Sequence, residues 1–226
     1  MLIFVHIPKT AGTTFKNLLI NAGIKYNEVI DIDSDITDVK YNTRQGLPGA
    51  VSIKPDPNIK VISGHFDAKR ILSILPSNLN NIELISWVRD PIQRMISNYH
   101  YYLKSGTYYG ERTIKSRKYE IIDIKTFCTH REKNNTLKQF LNIPIDKFKF
   151  IGISEYFEKE LVRFKDVTGL DLKPNQTEIV NYNINPKKKN AYEKYIIDED
   201  LEKEFIKYNL EDYELYNKCL QNAGYN

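Results

Sequence analysis

Four short apolar runs recur along the chain, and each gives way to a polar turn. They lie at residues 2–7, 59–63, 82–88 and 148–153. Their length and their β-branched and aromatic residues are typical of buried strands. Apolar residues at helical spacing follow three of these turns, and two more helices are predicted over residues 198–208 and 211–221. Because alternating strands and helices build a parallel sheet, the pattern predicts an α/β fold.

The first strand leads through a short turn, residues 8–14, into an amphipathic helix. The apolar face of that helix is Phe15, Leu18, Leu19 and Ala22. Thr13 or Thr14 is predicted to cap the helix, because threonine hydroxyls accept hydrogen bonds from first-turn amides. Gly23 is predicted to end it.

The turn before this helix has the features of an anion-binding loop. First-turn amides and the helix dipole favour an anion, and Lys9 adds a full positive charge that suits phosphate or sulfate. The alternative is an ordinary connection whose lysine faces water. A nucleoside triphosphatase loop requires Gly-x-x-x-x-Gly-Lys-Ser/Thr, whereas here Lys9 precedes Gly12.

A second cation, Arg89, stands at the carboxyl end of the strand at 82–88. Asp90 is predicted to cap the next helix and Pro91 to occupy its first turn. The apolar face of this helix is Ile92, Met95, Ile96, Tyr99 and Leu103. Ligands of open parallel sheets bind beyond the carboxyl ends of the strands, so Lys9 and Arg89 are expected to face one crevice. Two cations there imply a ligand with two anionic ends, whereas the alternative pairs Arg89 with Asp90 or Glu83.

The order Pro-Lys-Thr-Ala-Gly-Thr-Thr resembles the 5′-phosphosulfate loop of sulfotransferases that use 3′-phosphoadenosine 5′-phosphosulfate (PAPS). The likeness is strongest to the carbohydrate group related to heparan sulfate 2-O-sulfotransferases, and it covers most of the chain, above all residues 3–15 and 82–103. It implies a three-layer P-loop-NTPase-like fold with a central, mainly parallel sheet. It assigns the 5′-phosphosulfate to Lys9, Thr10, Ala11, Gly12, Thr13 and Thr14. It assigns the 3′-phosphate to Arg89 and Ser97, although Ser97 could also be an ordinary helix-surface serine.

The strand at 59–63 ends at Gly64-His65. A histidine titrates near neutral pH and can take the proton of an acceptor hydroxyl. Because Gly-His resembles the catalytic histidine segment of the 2-O-sulfotransferases, we predict His65 as the base, with Lys9 stabilising the leaving 5′-phosphate. Asp67 is the second choice, and a buried structural histidine is the alternative. His6 has a weaker claim because it is predicted to lie within the first strand.

The run at 148–153 continues into a strand-Gly-x-x-Glu segment that resembles one in the same family. Gly152 is predicted to allow close packing there. Tyr156 or Phe157 could lie beside the donor's adenine, although aromatic residues at helical spacing usually belong to the core. Asn135 and Gln139 belong either to a polar helix near the site or to a solvated face.

Bulk composition fits a small enzyme with one domain over residues 1–226. The excess of 33 basic over 29 acidic residues, +4, is too small to indicate DNA binding. Cys128 and Cys219 lack metal-ligand spacing, so reduced thiols are expected. No apolar stretch reaches membrane-spanning length and no basic leader precedes the first strand. We therefore expect a cytoplasmic bacterial or viral enzyme without integral membrane association, or else a catalytic domain trimmed from a membrane-anchored one.

Three variable segments, 33–57, 104–125 and 170–192, are predicted to set the choice of acceptor. In 104–125 tyrosines alternate with Lys and Arg, which suits sugar rings and acidic groups. The same composition suits single-stranded nucleic acid or a solvated loop. Segment 170–192 contains Lys187–Lys189, where many sulfotransferases close a basic loop over the 3′-phosphate.

The sequence thus predicts transfer of a sulfuryl group from PAPS to an acceptor hydroxyl, on a carbohydrate or a glycolipid. No metal is expected, since Lys9 and the helix terminus neutralise the leaving group. One alternative is a nucleotide or sugar kinase, which would need Mg²⁺ and the missing Gly-Lys-Ser/Thr order. The other is a non-catalytic module that binds glycan or nucleic acid through residues 104–125.

Overall fold

The computed structural model describes residues 1–32, 39–42, 49–51, 60–75, 81–105, 123–129, 134–173 and 194–225. The strands in these ranges form one sheet: β1 (Leu2–Val5), β2 (Tyr26–Ile32), β3 (Val39–Asn42), β4 (Gly49–Val51), β5 (Val61–Gly64), β6 (Glu83–Val88) and β7 (Phe148–Ile153). Their order across the sheet is β4-β3-β2-β5-β1-β6-β7. Strands β2, β5, β1, β6 and β7 pair in parallel, and β3 and β4 extend the β2 edge by antiparallel pairing. The prediction of a mainly parallel sheet is confirmed.

The helices of the described residues are α1 (Gly12–Asn21), α2 (Ala68–Ile74), α3 (Pro91–Ser105), α4 (Ile124–Cys128), α5 (Thr136–Phe140), α6 (Phe157–Thr168), α7 (Glu199–Tyr208) and α8 (Leu210–Asn222). Side chains alternate across β1, so Ile3 and Val5 pack on one face of the sheet with α2, α5 and α8. Leu2 and Phe4 pack on the other face with α1 and α6. The predicted three layers, helix on sheet on helix, are therefore present.

Strand β1 lies between β5 and β6, and all four of its residues are buried. A strand covered on both faces requires an uninterrupted apolar run, which explains Leu2–Val5. Because its neighbours run in the same direction, the residues after β1, β5, β6 and β7 meet at one edge of the sheet. That edge carries Lys9, His65, Arg89 and Glu155.

The start of α1 differs from the prediction that Thr13 or Thr14 caps it. The helix begins at Gly12, its N-cap residue is Ala11, and no side chain caps it. Ala11 adopts a left-handed conformation with φ of 66°, which turns the chain early and places both threonines inside the first helical turn. Gly23, with φ of 70°, follows the last turn as predicted, and the Ile24 amide closes the end by donating to the Leu19 carbonyl at 3.0 Å.

Strand β2, the outermost strand of the parallel part of the sheet, is not among the predicted strands. Its sequence, Tyr-Asn-Glu-Val-Ile-Asp-Ile, mixes polar with apolar residues and lacks the continuous run that marks the central strands. Segment 33–57 is predicted as a loop or a short hairpin, and its described residues include the antiparallel pair β3 and β4.

On α3 the prediction that Leu103 packs inward is wrong. Its side chain is 45% exposed, and Tyr102, which is 8% exposed, packs inward instead.

The other two variable segments contribute little to the described structure. Most of segment 104–125, with its alternating tyrosines and cations, lies at residues 106–122, outside the described residues. Residues 174–193, with Lys187–Lys189, also lie outside them. Cys128 on α4 and Cys219 on α8 are both buried, and they form no disulfide bond with each other. No helix in the described ranges is long and apolar enough to cross a membrane.

Candidate active site

The loop from β1 to α1 is tightly wound. Lys9 and Ala11 adopt left-handed φ values of 71° and 66°, which are uncommon outside glycine and recur at functional sites. The buried Thr10 hydroxyl fastens the loop by donating to the Ile7 carbonyl at 2.8 Å. The first helical bond runs from the Phe15 amide to the Ala11 carbonyl, 3.0 Å, so helix geometry leaves the amides of residues 12–14 to point out of the helix end. This arrangement suits an anion.

Gly12 is required here because His6 packs directly against it. A Cβ atom at residue 12 would lie 2.0 Å from His6 Nε2. The imidazole also stacks on the Phe4 ring, with 5.2 Å between ring centres and 18° between planes. Burial, reinforced by the neighbouring charges of His65, Lys16 and Lys9, lowers the pKa of His6 well below its usual value. His6 is therefore a neutral ring beneath the loop. It follows the end of β1 at Val5 rather than lying within the strand as predicted.

Lys9 is half-buried at the mouth of the loop. Its Nζ lies 4.4 Å from the centre of the Tyr101 ring, within the range of a cation–π contact. Burial and, secondarily, the charge of Arg89 lower the pKa of Lys9 to about 8. Both effects disfavour the ammonium, and a bound anion would oppose them.

Arg89 lies beside Lys9, as the shared edge of the sheet predicts. Its Nη1 donates weakly to the Lys9 carbonyl at 3.5 Å, and its Nε lies 3.9 Å from Glu155 Oε1. The neighbouring carboxylate is thus Glu155, and the alternative interpretation, in which Arg89 pairs with Asp90 or Glu83, is wrong. Asp90 instead caps α3, with Oδ1 accepting from the Gln93 amide at 3.0 Å, and Glu83 pairs with Lys149 at 3.2 Å.

Glu155 follows β7 and is held in place from two sides. Its Oε1 accepts from the Asp90 amide and its Oε2 from the Tyr216 hydroxyl, both at 3.1 Å. Burial raises the pKa of this carboxyl, and the positive charge of Arg89 opposes that rise. Glu155 therefore links β7, the start of α3 and α8 next to Arg89.

Ser97 is buried on α3, with 7% exposure, so the alternative interpretation as a helix-surface serine is wrong. Burial raises the pKa of the Tyr195 hydroxyl, and the charge of Arg89 and hydrogen bonding with Ser97 oppose that rise. The Tyr195 ring centre lies 5.8 Å from the Arg89 guanidinium carbon. The structure thus brings Arg89 and Ser97 together around a tyrosine that the sequence analysis missed. Tyr195 is 98 positions beyond Ser97, and no spacing along the chain points to it.

His65 stands at the carboxyl end of β5 with an exposed side chain, so the alternative interpretation as a buried structural histidine is wrong. Its Nδ1 lies 2.7 Å from the His6 carbonyl oxygen. Because a carbonyl only accepts, this contact assigns a proton to Nδ1 and leaves the lone pair of the neutral ring on Nε2. The His65 and His6 rings are 4.4 Å apart.

Asp67, the second candidate base, is the N-cap residue of α2. Its Oδ1 accepts from the Arg70 amide at 2.9 Å and from the Asn142 side-chain amide at 2.7 Å. Both contacts use one carboxylate oxygen in a structural role.

The remaining predicted positions lie in the core or on the surface. Phe157 is 3% exposed and packs on Trp87, so it is a core residue, and Tyr156 stacks on Tyr225 with ring centres 3.9 Å apart. Gly152 allows close packing as predicted, because a Cβ there would lie 2.5 Å from Trp87 Cε3.

Asn135 links α5 to α8. Its backbone amide donates to Asn209 Oδ1 at 2.9 Å, and its Oδ1 accepts from the Asp212 backbone amide at 3.3 Å. Gln139 is exposed on α5.

Within the described ranges, no group of three or more His, Cys, Asp or Glu side chains could hold a metal ion. A cleft of about 130 Å³ opens between β7, α6 and α8, lined by Phe148, Arg163 and Asn222 among others. It lies near the amino end of β7, away from the edge that carries Lys9 and Arg89. The candidate site is accordingly the crevice at the carboxyl ends of the strands.

An anion loop on a parallel sheet, with a second cation after the neighbouring strand, defines a three-layer α/β protein with a crevice suited to phosphate- or sulfate-bearing ligands. A sequence model of the Sulfotransferase family matches residues 1–218. The chain therefore belongs to the sulfotransferase family. No curated protein matches the sequence at a significant level.

Proposed function

We propose that this chain transfers a sulfuryl group from PAPS to a hydroxyl group of a carbohydrate or glycolipid. Membership of the sulfotransferase family supports sulfuryl transfer as the reaction. The donor, the narrower likeness to the heparan sulfate 2-O-sulfotransferases and the acceptor class are proposals from the resemblance of the loop, the strand-end arginine and the Gly-His pair. The match to this family also weighs against a nucleotide or sugar kinase.

One observation supports the choice of donor: two cations share the crevice, and the positive charge of Arg89 disfavours the charged form of Lys9. Lys9 and Arg89 follow neighbouring strands, are joined by the 3.5 Å contact, and the charge of Arg89 helps to lower the pKa of Lys9 to about 8. A ligand with two anionic ends relieves this repulsion. PAPS has a 5′-phosphosulfate at one end and a 3′-phosphate at the other.

In this scheme Lys9 and the amides of residues 10–14 bind the 5′-phosphosulfate, and Arg89 and Ser97 bind the 3′-phosphate. PAPS supplies a sulfuryl group activated by its bond to a phosphate. As that bond breaks, Lys9 and the amides at the start of α1 stabilise the negative charge that develops on the leaving phosphate. These groups provide the compensating charge, so we propose no metal in the reaction.

His65 is the proposed base. Its Nε2 takes the proton of the acceptor hydroxyl as the oxygen attacks sulfur, and its Nδ1–H stays on the His6 carbonyl. That hydrogen bond holds the ring and its tautomer, in the manner of the orienting group of a catalytic triad. The engagement of Asp67 in capping α2 supports His65 over Asp67.

A direct test follows adenosine 3′,5′-bisphosphate released from PAPS by the purified protein, with and without a panel of sugars and glycolipids. Acceptor-stimulated release without added metal supports the proposal. Phosphate transfer from ATP with Mg²⁺ to the same panel would establish the kinase instead. Glycan or nucleic-acid binding with no turnover, unaffected by His65→Ala, would establish the binding module.

A further inference from the structure

The segment before α7, residues 194–198, has no regular secondary structure, yet its backbone is tightly held at Tyr195. The Gln93 side-chain amide contacts both sides of this residue. Gln93 Oε1 accepts from the Tyr195 amide at 2.6 Å, and Gln93 Nε2 donates to the Tyr195 carbonyl at 3.1 Å. Both residues are 5% exposed. One buried amide thus provides the backbone partners that a neighbouring strand would otherwise supply.

The Tyr195 side chain points at the two residues proposed to hold the 3′-phosphate. Its ring centre lies 5.8 Å from the Arg89 guanidinium carbon, and hydrogen bonding between its hydroxyl and Ser97 opposes the rise in the phenol's pKa that burial causes. The ring also stacks on the His100 imidazole, with centres 5.2 Å apart and planes 26° apart. Gln93, Ser97 and His100 follow at intervals of four and three residues on α3, so one stripe of that helix faces Tyr195.

These contacts restrict two groups that would otherwise rotate. A serine hydroxyl turns to suit its partners, and a hydrogen bond to a fixed phenol limits that rotation. A guanidinium on an aromatic face is held with its planar fork in one orientation, which matters for a phosphate bound by two parallel N–H groups. Groups held in place before binding lose less entropy when the ligand arrives.

We propose that Tyr195 is a positioning residue of the 3′-phosphate site, orienting the Ser97 hydroxyl and the Arg89 guanidinium, and that Gln93 fixes Tyr195 for this task. This inference rests on the proposed function, because it takes Arg89 and Ser97 as the 3′-phosphate ligands. It adds a residue from a distant part of the chain that determines the preference for a nucleotide with a 3′-phosphate.

The test compares two ligands by calorimetry: adenosine 3′,5′-bisphosphate and adenosine 5′-phosphate, which lacks the 3′-phosphate. Tyr195→Phe keeps the ring, the Gln93 contacts and the packing, and removes only the hydroxyl. We expect the bisphosphate to bind about tenfold more weakly, the size of one lost hydrogen bond to a charged site, and the monophosphate to bind as before. Tyr102→Phe, which removes a buried phenol from the same apolar cluster, is the control and should leave both affinities unchanged.

A second variant separates positioning from loss of fold. Gln93→Leu removes both side-chain contacts to the Tyr195 backbone and keeps the phenol. It should therefore also reduce the preference for the bisphosphate. The midpoint of thermal unfolding of each variant shows whether the fold is retained. Equal losses for both ligands, or no loss for either, in Tyr195→Phe would overturn the role of Tyr195. A wild-type protein with no preference for the bisphosphate would overturn the proposed 3′-phosphate site itself, and this inference with it.

Discussion

The two cations of the site are held in different ways. Lys9 belongs to a loop whose conformation comes from consecutive residues and from one histidine beneath it. Arg89 is surrounded by Glu155 after β7 and by Tyr195 before α7, which come from distant parts of the chain. The first half of the site is local and the second is assembled by tertiary packing.

The two halves also differ in charge. Arg89 has a carboxylate 3.9 Å away, whereas Lys9 Nζ lies over the Tyr101 ring, 4.4 Å from its centre. Burial and the Arg89 charge lower the pKa of Lys9, and a bound anion would oppose both effects. We therefore expect the Lys9 half to act on the chemical step and the Arg89 half on donor affinity.

The largest effect is expected for Lys9→Ala. Removing the charge that stabilises the leaving phosphate should lower kcat about 10³-fold, the range found for loss of one preorganised electrostatic group. Steady-state kinetics with saturating PAPS measures this change, and Lys25→Ala, which removes an exposed lysine after α1, is the matched control. Turnover within threefold of wild type would contradict the role of Lys9.

His65→Ala should lower kcat about 10²-fold or more and leave bisphosphate affinity unchanged, because only the proton acceptor is lost. Asp67→Asn gives the contrast. It should retain turnover and most of the stability, since the asparagine side-chain oxygen can cap α2 as the Asp67 carboxylate does. The opposite pattern, with Asp67→Asn inactive and His65→Ala active, would show that Asp67 is the base.

Arg89→Ala separates the two halves of the site. Loss of charge-assisted hydrogen bonds to the 3′-phosphate should weaken bisphosphate binding about 30-fold, while kcat at saturating donor changes little. Calorimetry and saturation kinetics on the same preparation provide both values. Normal donor affinity in this variant would count heavily against the two-cation site.

Gly12→Ala tests the packing beneath the loop. Its Cβ would lie 2.0 Å from His6 Nε2, so the variant should lose about 2 kcal/mol of unfolding free energy and also donor affinity. Gly152→Ala is a matched clash in the core, 2.5 Å from Trp87 Cε3, and should lose stability alone. If denaturant unfolding and calorimetry give the same pattern for both variants, Gly12 has no special link to the anion loop.

The smallest effect is on the pH dependence of binding. With the pKa of Lys9 at about 8 in the unliganded protein, bisphosphate affinity should fall as pH rises through 8, because the ligand binds the charged form. The decrease should be about tenfold at most for each pH unit. Lys9→Arg keeps its charge and should bind equally from pH 7 to 9. If the bisphosphate affinities of wild type and Lys9→Arg fall in parallel with pH, a group other than Lys9 is titrating.

The same contrast explains which parts of the site could be predicted from sequence. The central strands, Lys9 and Arg89 were predictable, because apolar runs and the residues that follow them are local signals. Glu155 also follows a predicted strand, but its contact with Arg89 depends on the order of strands in the sheet. Tyr195 reaches Arg89 only through packing between distant elements, and nothing in its local sequence indicates it. His6 was undervalued because its role depends on the closeness of Gly12.

The predicted N-cap of α1 was wrong for a related reason. Left-handed conformations at Lys9 and Ala11 carry no marker, since both residues usually adopt right-handed ones. Strand β2 was missed because its sequence mixes polar with apolar residues and lacks the continuous apolar run of the strands at the sheet centre. The central strands and the candidate residues at their ends were therefore predictable from sequence, whereas the residues that surround Arg89 and the loop could be found only from the structure.

Calorimetric titration of the wild-type protein with adenosine 3′,5′-bisphosphate, without added metal and alongside ATP with Mg²⁺, tests the central claim most directly. The account predicts micromolar binding of the bisphosphate and little response to ATP. No binding of the bisphosphate, or tight binding of ATP with Mg²⁺, would contradict it.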